Sequence, residues 1–334
     1  MSIRFSLRVN NDLDLPTLTG LAVAGEAAHI DQLWVSNDLM LRSAPALLGA
    51  LFQKTTRLHL GIGIMNPYSV HPAELAMIAA TLQEMSEGRF LLGLGAGSGE
   101  FLSWIGIEQD KPLTDTRAAL RAIRALLAGE RPIDADGAGE GWTRDAYLRL
   151  TATHVPIYIG AMSPRMLAFA GAEADGVLAL LFPPEHFTTA SEIVAEGAAG
   201  AGRTMSDLDM PACVWLALDE DRAAADRALA LKLAYYGAAF SPYLLARAGL
   251  TTADFTPALD ALRDGDEDAA VRAITPQMLS LGISGDPDAV IRRCRELVGR
   301  GATHLSFGPP LGPDPVAAIE MLGRLVLPEV RRSA

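Results

Sequence analysis

Three stretches of this 334-residue chain place chemically able side chains side by side. In Ile30-Asp31-Gln32-Leu33-Trp34-Val35-Ser36-Asn37-Asp38 an apolar run ends in three consecutive polar residues. If the run is a strand of a parallel α/β protein, that end faces the ligand side. Asp38 is then placed to donate or accept a proton, provided burial raises its pKa. The competing reading is that Asn37 and Asp38 turn the chain and cap the next helix. In Tyr158-Ile159-Gly160-Ala161-Met162-Ser163-Pro164-Arg165 small residues lead into Ser-Pro, a good N-cap followed by a good first helical residue. The free N–H groups and dipole of such a helix start favour a phosphate, and Arg165 adds charge. Most Ser-Pro starts nevertheless bind nothing.

The third stretch carries Gly93, Gly95, Gly97 and Gly99 around Ser98 and Glu100. It departs from the dinucleotide fingerprint G-x-G-x-x-G: Gly95 and Gly97 call for a glycine at position 100, which is Glu100. A strand end that leaves clearance for a flat ligand accounts for the glycines better. Glu100 either reaches the pocket from this loop or is a solvated loop charge. His71 precedes Pro72 at a helix start and reads as structural, with Tyr68 close by. The six histidines show no spacing that suits a metal, and no serine sits in a nucleophile elbow.

The elements that must position these groups alternate along the chain. Strands are read at about 3–9, 30–36, 58–64, 90–94, 155–159, 176–181, 212–218 and 304–307, with helices between them. Ser43 and Pro45 mark one helix start. Residues 114–128 carry apolar side chains at helical spacing: Ala119, Leu120, Ile123, Leu126 and Leu127. Eight β/α units point to one domain over 1–334, a closed (β/α)8 TIM barrel. Two segments stand outside that alternation. Residues 129–153 are an irregular excursion with a hairpin ending at Tyr147–Leu150. Residues 219–283 are a mostly helical insertion between the seventh and eighth strands, too long for a simple connection.

Composition narrows the function. The net charge of −12 argues against nucleic acid. There is no long uninterrupted apolar run for a membrane span, and no signal-peptide pattern at the N-terminus. Cys213 and Cys294 lack metal or redox spacing and read as buried thiols of a cytoplasmic protein. Lys54, Lys111 and Lys232 are the only lysines, and none lies at a predicted strand end, which weighs against a Schiff-base aldolase.

Four segments then carry a family likeness: IDQLWVS at 30–36, LGIGIMNPYSVHPAE through GRFLLGLGAG at 60–97, IGAMSPRMLAFAGAEADGVL at 159–178, and THLSFGPPLGPD at 303–314. From Arg4 to about Val330 the chain resembles the bacterial luciferase-like superfamily, in its coenzyme F420-dependent branch that includes methylenetetrahydromethanopterin reductase. The resemblance implies a flavin or deazaflavin at the C-terminal mouth of a barrel. It implies a non-proline cis peptide at Gly63-Ile64 that backs the tricycle. It places phosphate contacts at Gly160, Ala161, Met162 and Ser163, and further cofactor contacts at Asn37, Asp38, Asn66 and Ser98. Relatives often carry Asp-His where this chain has Asn37-Asp38, so Asp38 takes the place of a histidine. The implied activity is hydride transfer between the C5 of F420 and a small C=N or C=C substrate, or the reverse. Asp38 and Glu100 are the proton-handling candidates, no metal is involved, and the chain is expected to form a homodimer. Two alternatives stand beside this: an FMN-dependent monooxygenase using dioxygen, and a non-catalytic cofactor-binding barrel.

Overall fold

A computed structural model describes residues 3–332. One curled sheet holds nine parallel strands: β1 (Arg4–Val9), β2 (Gln32–Val35), β3 (His59–Met65), β4 (Phe90–Leu94), β5 (Ile157–Gly160), β6 (Gly176–Leu178), β7 (Ala212–Leu218), β8 (Ile283–Gly285) and β9 (His304–Leu311). Their order is β6-β5-β4-β3-β2-β1-β9-β7-β8. Parallel strands covered by helices are buried on both faces and read as apolar runs rather than alternations. Accordingly every residue of β2, β4 and β7 is buried.

The connecting helices begin where short polar side chains cap them and proline follows. Asp14 accepts from Thr17 N before Leu15–Ala27, Ser163 from Met166 N before Pro164–Glu173, and Asp286 from Ala289 N before Pro287–Gly299. The amphipathic segment expected at 114–128 is the helix Pro112–Leu127, and Ala119, Leu120, Ile123 and Leu126 are among its buried residues, while Leu127 is half-buried. At the seam between β6 and the start of β7, Val177 N donates to Asp209 O at 2.9 Å. Asp209 N donates to Asp175 O at 2.9 Å, and Phe182 N to Cys213 O at 2.6 Å.

Two sequence expectations are corrected. The insertion is helical, as in Arg222–Tyr236 and Pro242–Arg247, but it ends in β8, which pairs with β7 from Leu216 to Leu218. The segment read as the eighth strand is therefore the ninth. β8 is only three residues long, too short for periodicity to reveal. Nor is there a hairpin at 147–150: the chain between Leu127 and Ile157 holds one 3-10 turn, Pro132–Asp134, and no strand. Trp142 and Leu148 pack against the main core instead, Trp142 also lying 5.1 Å from the His71 ring.

The interior of the sheet is polar at its N-terminal end. Asp209 accepts from Arg4 at 2.7 Å and from the Tyr158 hydroxyl at 2.8 Å, and it pairs with His304 Nδ1 at 2.9 Å. His304 Nε2 meets Ser6 Oγ at 2.9 Å. Trp34 donates to Gln32 at 2.9 Å and packs edge-on against Tyr158. A Cβ at Gly61 would lie 2.3 Å from the Trp34 ring, so β3 passes over the indole only because residue 61 is glycine.

Candidate active site

At the other end of the strands the chain is open. Ser36, Asn37 and Asp38 leave β2 along a loop held by Asn11, which is fully buried just beyond β1. Asn11 Nδ2 donates to the carbonyls of Asp38 (3.0 Å) and Arg42 (2.7 Å). Asn11 Oδ1 accepts from Ser36 Oγ at 2.8 Å and from Asp38 N at 3.2 Å. Asn37 Oδ1 accepts from Ala44 N at 3.1 Å. It, and not the expected Ser43, caps the helix Ala44–Leu51, because Ser43 makes no side-chain cap bond. The two readings of Asn37-Asp38 therefore divide: Asn37 is spent on the helix, while Asp38 keeps a free carboxylate oxygen beside Ser36 Oγ at 3.3 Å.

Burial pushes the Asp38 carboxyl above the ordinary carboxylate range. The Ser36 hydroxyl opposes this, Asp12 adds to it, and Lys232 opposes it. The residue is exposed by surface area.

In β3 the Gly63–Ile64 peptide is cis, as the resemblance implied. Pairing with β4 slips between Ile62 and Met65. Ile62 and Met65 are buried, whereas Gly63 and Ile64 between them are half-buried, so the bulge turns a strand interior toward the mouth. The neighbouring glycines serve this bulge. Cβ atoms at Gly93 and Gly160 would lie 3.0 and 3.1 Å from Ile64 Cγ2, and one at Gly95 would lie 3.3 Å from its Cδ1. A Cβ at Gly93 would also lie 2.2 Å from the Ile62 carbonyl oxygen, so Gly93 lets the two strands approach, and Gly95 gives room to the Ile64 side chain. Only Gly97 to Glu100 lie on the exposed rim.

The remaining candidates separate. Asn66 Oδ1 accepts from Tyr68 N (3.1 Å), Ser69 N (2.9 Å) and Ser69 Oγ (3.1 Å), so it shapes the turn after β3. Ser98 Oγ accepts from Phe101 N, capping the short helix Gly99–Ser103. Glu100 is exposed on that helix, and none of the described residues joins its carboxylate to Asp38. The Tyr68 hydroxyl donates to Asp115 at 2.6 Å, and burial and that carboxylate raise its pKa; its proton is committed there. His71 Nδ1 accepts from Ala73 N at 3.2 Å, the structural role expected. Gly160 and Ala161 close β5, Met162 packs between two parts of the core, and Ser163 is exposed at its helix start.

The sequence does not single out Lys232 for the site. Lys232, on the helix Arg222–Tyr236 of the insertion, sets its ammonium 4.2 Å from the Tyr236 ring centroid and 5.6 Å from that of Trp215 in β7. Burial lowers its pKa to about 8, while Asp12 and Asp38 oppose the fall. Its sequence signal was slight: a lone lysine in an apolar helix rich in aromatic residues.

A model of the luciferase-like monooxygenase family matches residues 2–304. The chain belongs to that family. Among luciferase-like relatives, it is 32% identical to 5,10-methylenetetrahydromethanopterin reductase of Archaeoglobus fulgidus, over 98% of this chain and 100% of that protein. It is 33% identical to the enzyme of the same name from Methanolobus tindarius, over 92% of this chain and 94% of that one. The coenzyme F420 dependent tetrahydromethanopterin reductase from Methanopyrus kandleri superposes with a TM-score of 0.87 at 27% identity, covering 99% of this chain and 100% of that one. Among the described residues no helix is long and apolar enough to cross a membrane, and no three metal-ligating side chains converge.

Proposed function

We propose that this luciferase-like chain is a coenzyme F420-dependent oxidoreductase that transfers a hydride to or from a small organic substrate. The observation that carries this reading is the half-exposed Gly63–Ile64 bulge at the mouth of an otherwise buried sheet. A flat apolar ledge flanked by polar strand ends fits a tricyclic ring. The exposed Ser163 start of a ten-residue helix fits a phosphate. When bound, the deazaflavin supplies a C5 that gives or takes a hydride.

The residues of this chain do the rest. Gly63 and Ile64 floor the ring. Asn37, Asp38, Asn66 and Ser98 line it, the first, third and fourth mainly by fixing the backbone at its edge. Gly160, Ala161, Met162 and Ser163 receive the phosphate. Asp38 and Glu100 are the carboxylates available to hold or move a proton. The bonds from β6 to Asp209, ahead of β7, and from Phe182, beyond β6, to Cys213 of β7 support closure of the sheet into a barrel with β8 outside it. The helices after β7 support one domain in which 219–283 is an insertion and 129–153 an excursion. The buried free thiols Cys213 and Cys294 support a cytoplasmic setting. Exposed Met77 and Met85 on the helix Pro72–Met85 support an apolar surface for a homodimer.

Anaerobic absorbance and fluorescence titrations with F420 and with FMN test the cofactor. F420 is expected to bind. A panel of iminium, enone and carbonyl compounds is then expected to contain one that oxidises the reduced form. Tight FMN binding with no F420 binding would overturn the proposal in favour of a monooxygenase. F420 binding without turnover of any substrate class would favour a binding barrel.

A further inference from the structure

The insertion does more than extend the fold. Its helix Arg222–Tyr236 packs on β7 and β8 and brings Lys232 over Trp215. Trp215 is buried in β7, its indole beside Gly308 of β9, where a Cβ would lie 3.0 Å from Trp215 Cδ1. The charged groups that act on Lys232 come from two loops across β9 from β7: Asp12 just beyond β1 and Asp38 just beyond β2. Tyr236, on its own helix, faces the same two carboxylates and Tyr235. The ammonium rests on two ring faces and makes no hydrogen bond or ion pair with any described residue.

An ammonium has three donors, and at this half-buried position none is taken by a protein acceptor, so all three can serve water or a ligand. The aromatic faces hold the amine in place without consuming its protons. Glu100, by contrast, is exposed on a short rim helix. Asp38 is tethered by Ser36 and by the Asn11 clamp on its backbone. Of the three groups, Lys232 alone is held on aromatic faces with its protons free of any protein acceptor.

We propose that Lys232 is a further proton-handling residue of the hydride-transfer site, beside the carboxylates already named, with Asp12 and Asp38 positioning and tuning it. In the oxidative direction the neutral Nζ would take the substrate's O–H or N–H proton as the C–H electron pair leaves as hydride, for which a bound deazaflavin would be the acceptor. In the reductive direction the ammonium returns a proton to the heteroatom as the carbon gains the hydride. The hydride partner rests on the F420 reading; the location and titration of Lys232 do not.

The test uses the chain's three lysines, which make Lys54 and Lys111 internal references. The apoprotein is acetylated with trace acetic anhydride across pH 6 to 11, and each lysine is read by peptide mass spectrometry. Lys232 is expected to reach half-maximal reactivity near pH 8, against about 10.4 for a free ε-amine. Asp38→Asn and Asp12→Asn should each move that midpoint further down. Saturating oxidised F420, with binding followed by absorbance in the same tube, should slow acetylation of Lys232 at least tenfold and leave Lys54 and Lys111 unchanged. With the most active panel compound, Lys232→Gln should lower kcat by about a hundredfold or more with little change in KM. Lys232→Arg should not restore it, because a guanidinium does not release its proton.

A midpoint near 10.4, insensitivity to both carboxylates, or full reactivity with F420 bound would each overturn the proposal. Absence of F420 binding would instead count against the cofactor reading. The apoprotein midpoint and its response to Asp38→Asn and Asp12→Asn would then decide the Lys232 cluster by themselves.

Discussion

The two ends of the strands hold similar side chains in opposite states. At the N-terminal end Asp209, His304, Arg4, Tyr158 and Ser6 meet one another at 2.7 to 2.9 Å. Burial pushes Asp209 up, but His304, Arg4 and Tyr158 outweigh it and hold the carboxyl below its ordinary range. At the C-terminal end Asp38 is raised and Lys232 lowered, in both cases chiefly by burial, and no ion pair joins them among the described residues. Paired charges at one end stabilise the sheet. Unpaired ones at the other are poised to change protonation, as expected when the bottom face of such a fold serves stability and the top face serves chemistry.

The largest effect should come from breaking the paired end. Asp209→Ala leaves His304, Tyr158 and Arg4 without their shared acceptor and should cost about 3–5 kcal/mol in urea unfolding. F420 affinity of the folded fraction should be unchanged. A loss below about 1 kcal/mol would mean the network contributes little.

Next is Asn11→Ala, which strands the Asp38 and Arg42 carbonyls and should cost about 1–3 kcal/mol. Faster amide exchange across 36–42 should accompany it. If that loop exchanges as in the parent, the clamp is not what orders it.

Gly160→Ala then probes the open end. Its Cβ would press on Ile64 Cγ2 at 3.1 Å, and F420 affinity should fall about tenfold, about 1.4 kcal/mol. Unaltered affinity would separate the bulge from the cofactor.

The smallest effect has the opposite sign. Lys232→Met removes a charge that the folded state disfavours, so it should raise stability by about 1 kcal/mol at pH 7. Because the folded pKa, about 8, lies below the unfolded one, the folded state sheds this proton first. The penalty is complete below pH 8 and is relieved as pH rises toward about 10.4. The gain from Lys232→Met should therefore shrink between pH 8 and pH 10. Urea unfolding at both pH values checks this, and a gain independent of pH would show that packing, not charge, is responsible.

Much of this was legible in the chain. Long apolar runs and amphipathic spans located the strands and helices, because their periods are local properties. Ser163 was readable as a cap because Ser-Pro acts within four residues. The Gly63–Ile64 bulge was reached through family likeness alone. What could not be read depends on contacts between distant residues. Asn11 acts on positions 25 to 31 residues away, and Asp209 meets His304 across 95. Lys232 lies in an insertion whose composition says nothing about which strand it crosses. Gly93 and Gly95 are of the same kind: the groups a Cβ there would meet, Ile62 O and the Ile64 side chain, lie about thirty residues earlier on β3.

Hydrogen exchange of the whole chain with and without saturating F420 tests the division between the two ends most directly. The account predicts slowed exchange at 61–66, 94–98 and 160–166, with none around Asp209 and His304. Protection confined to the Asp209–His304 end, with the mouth unchanged, would contradict it.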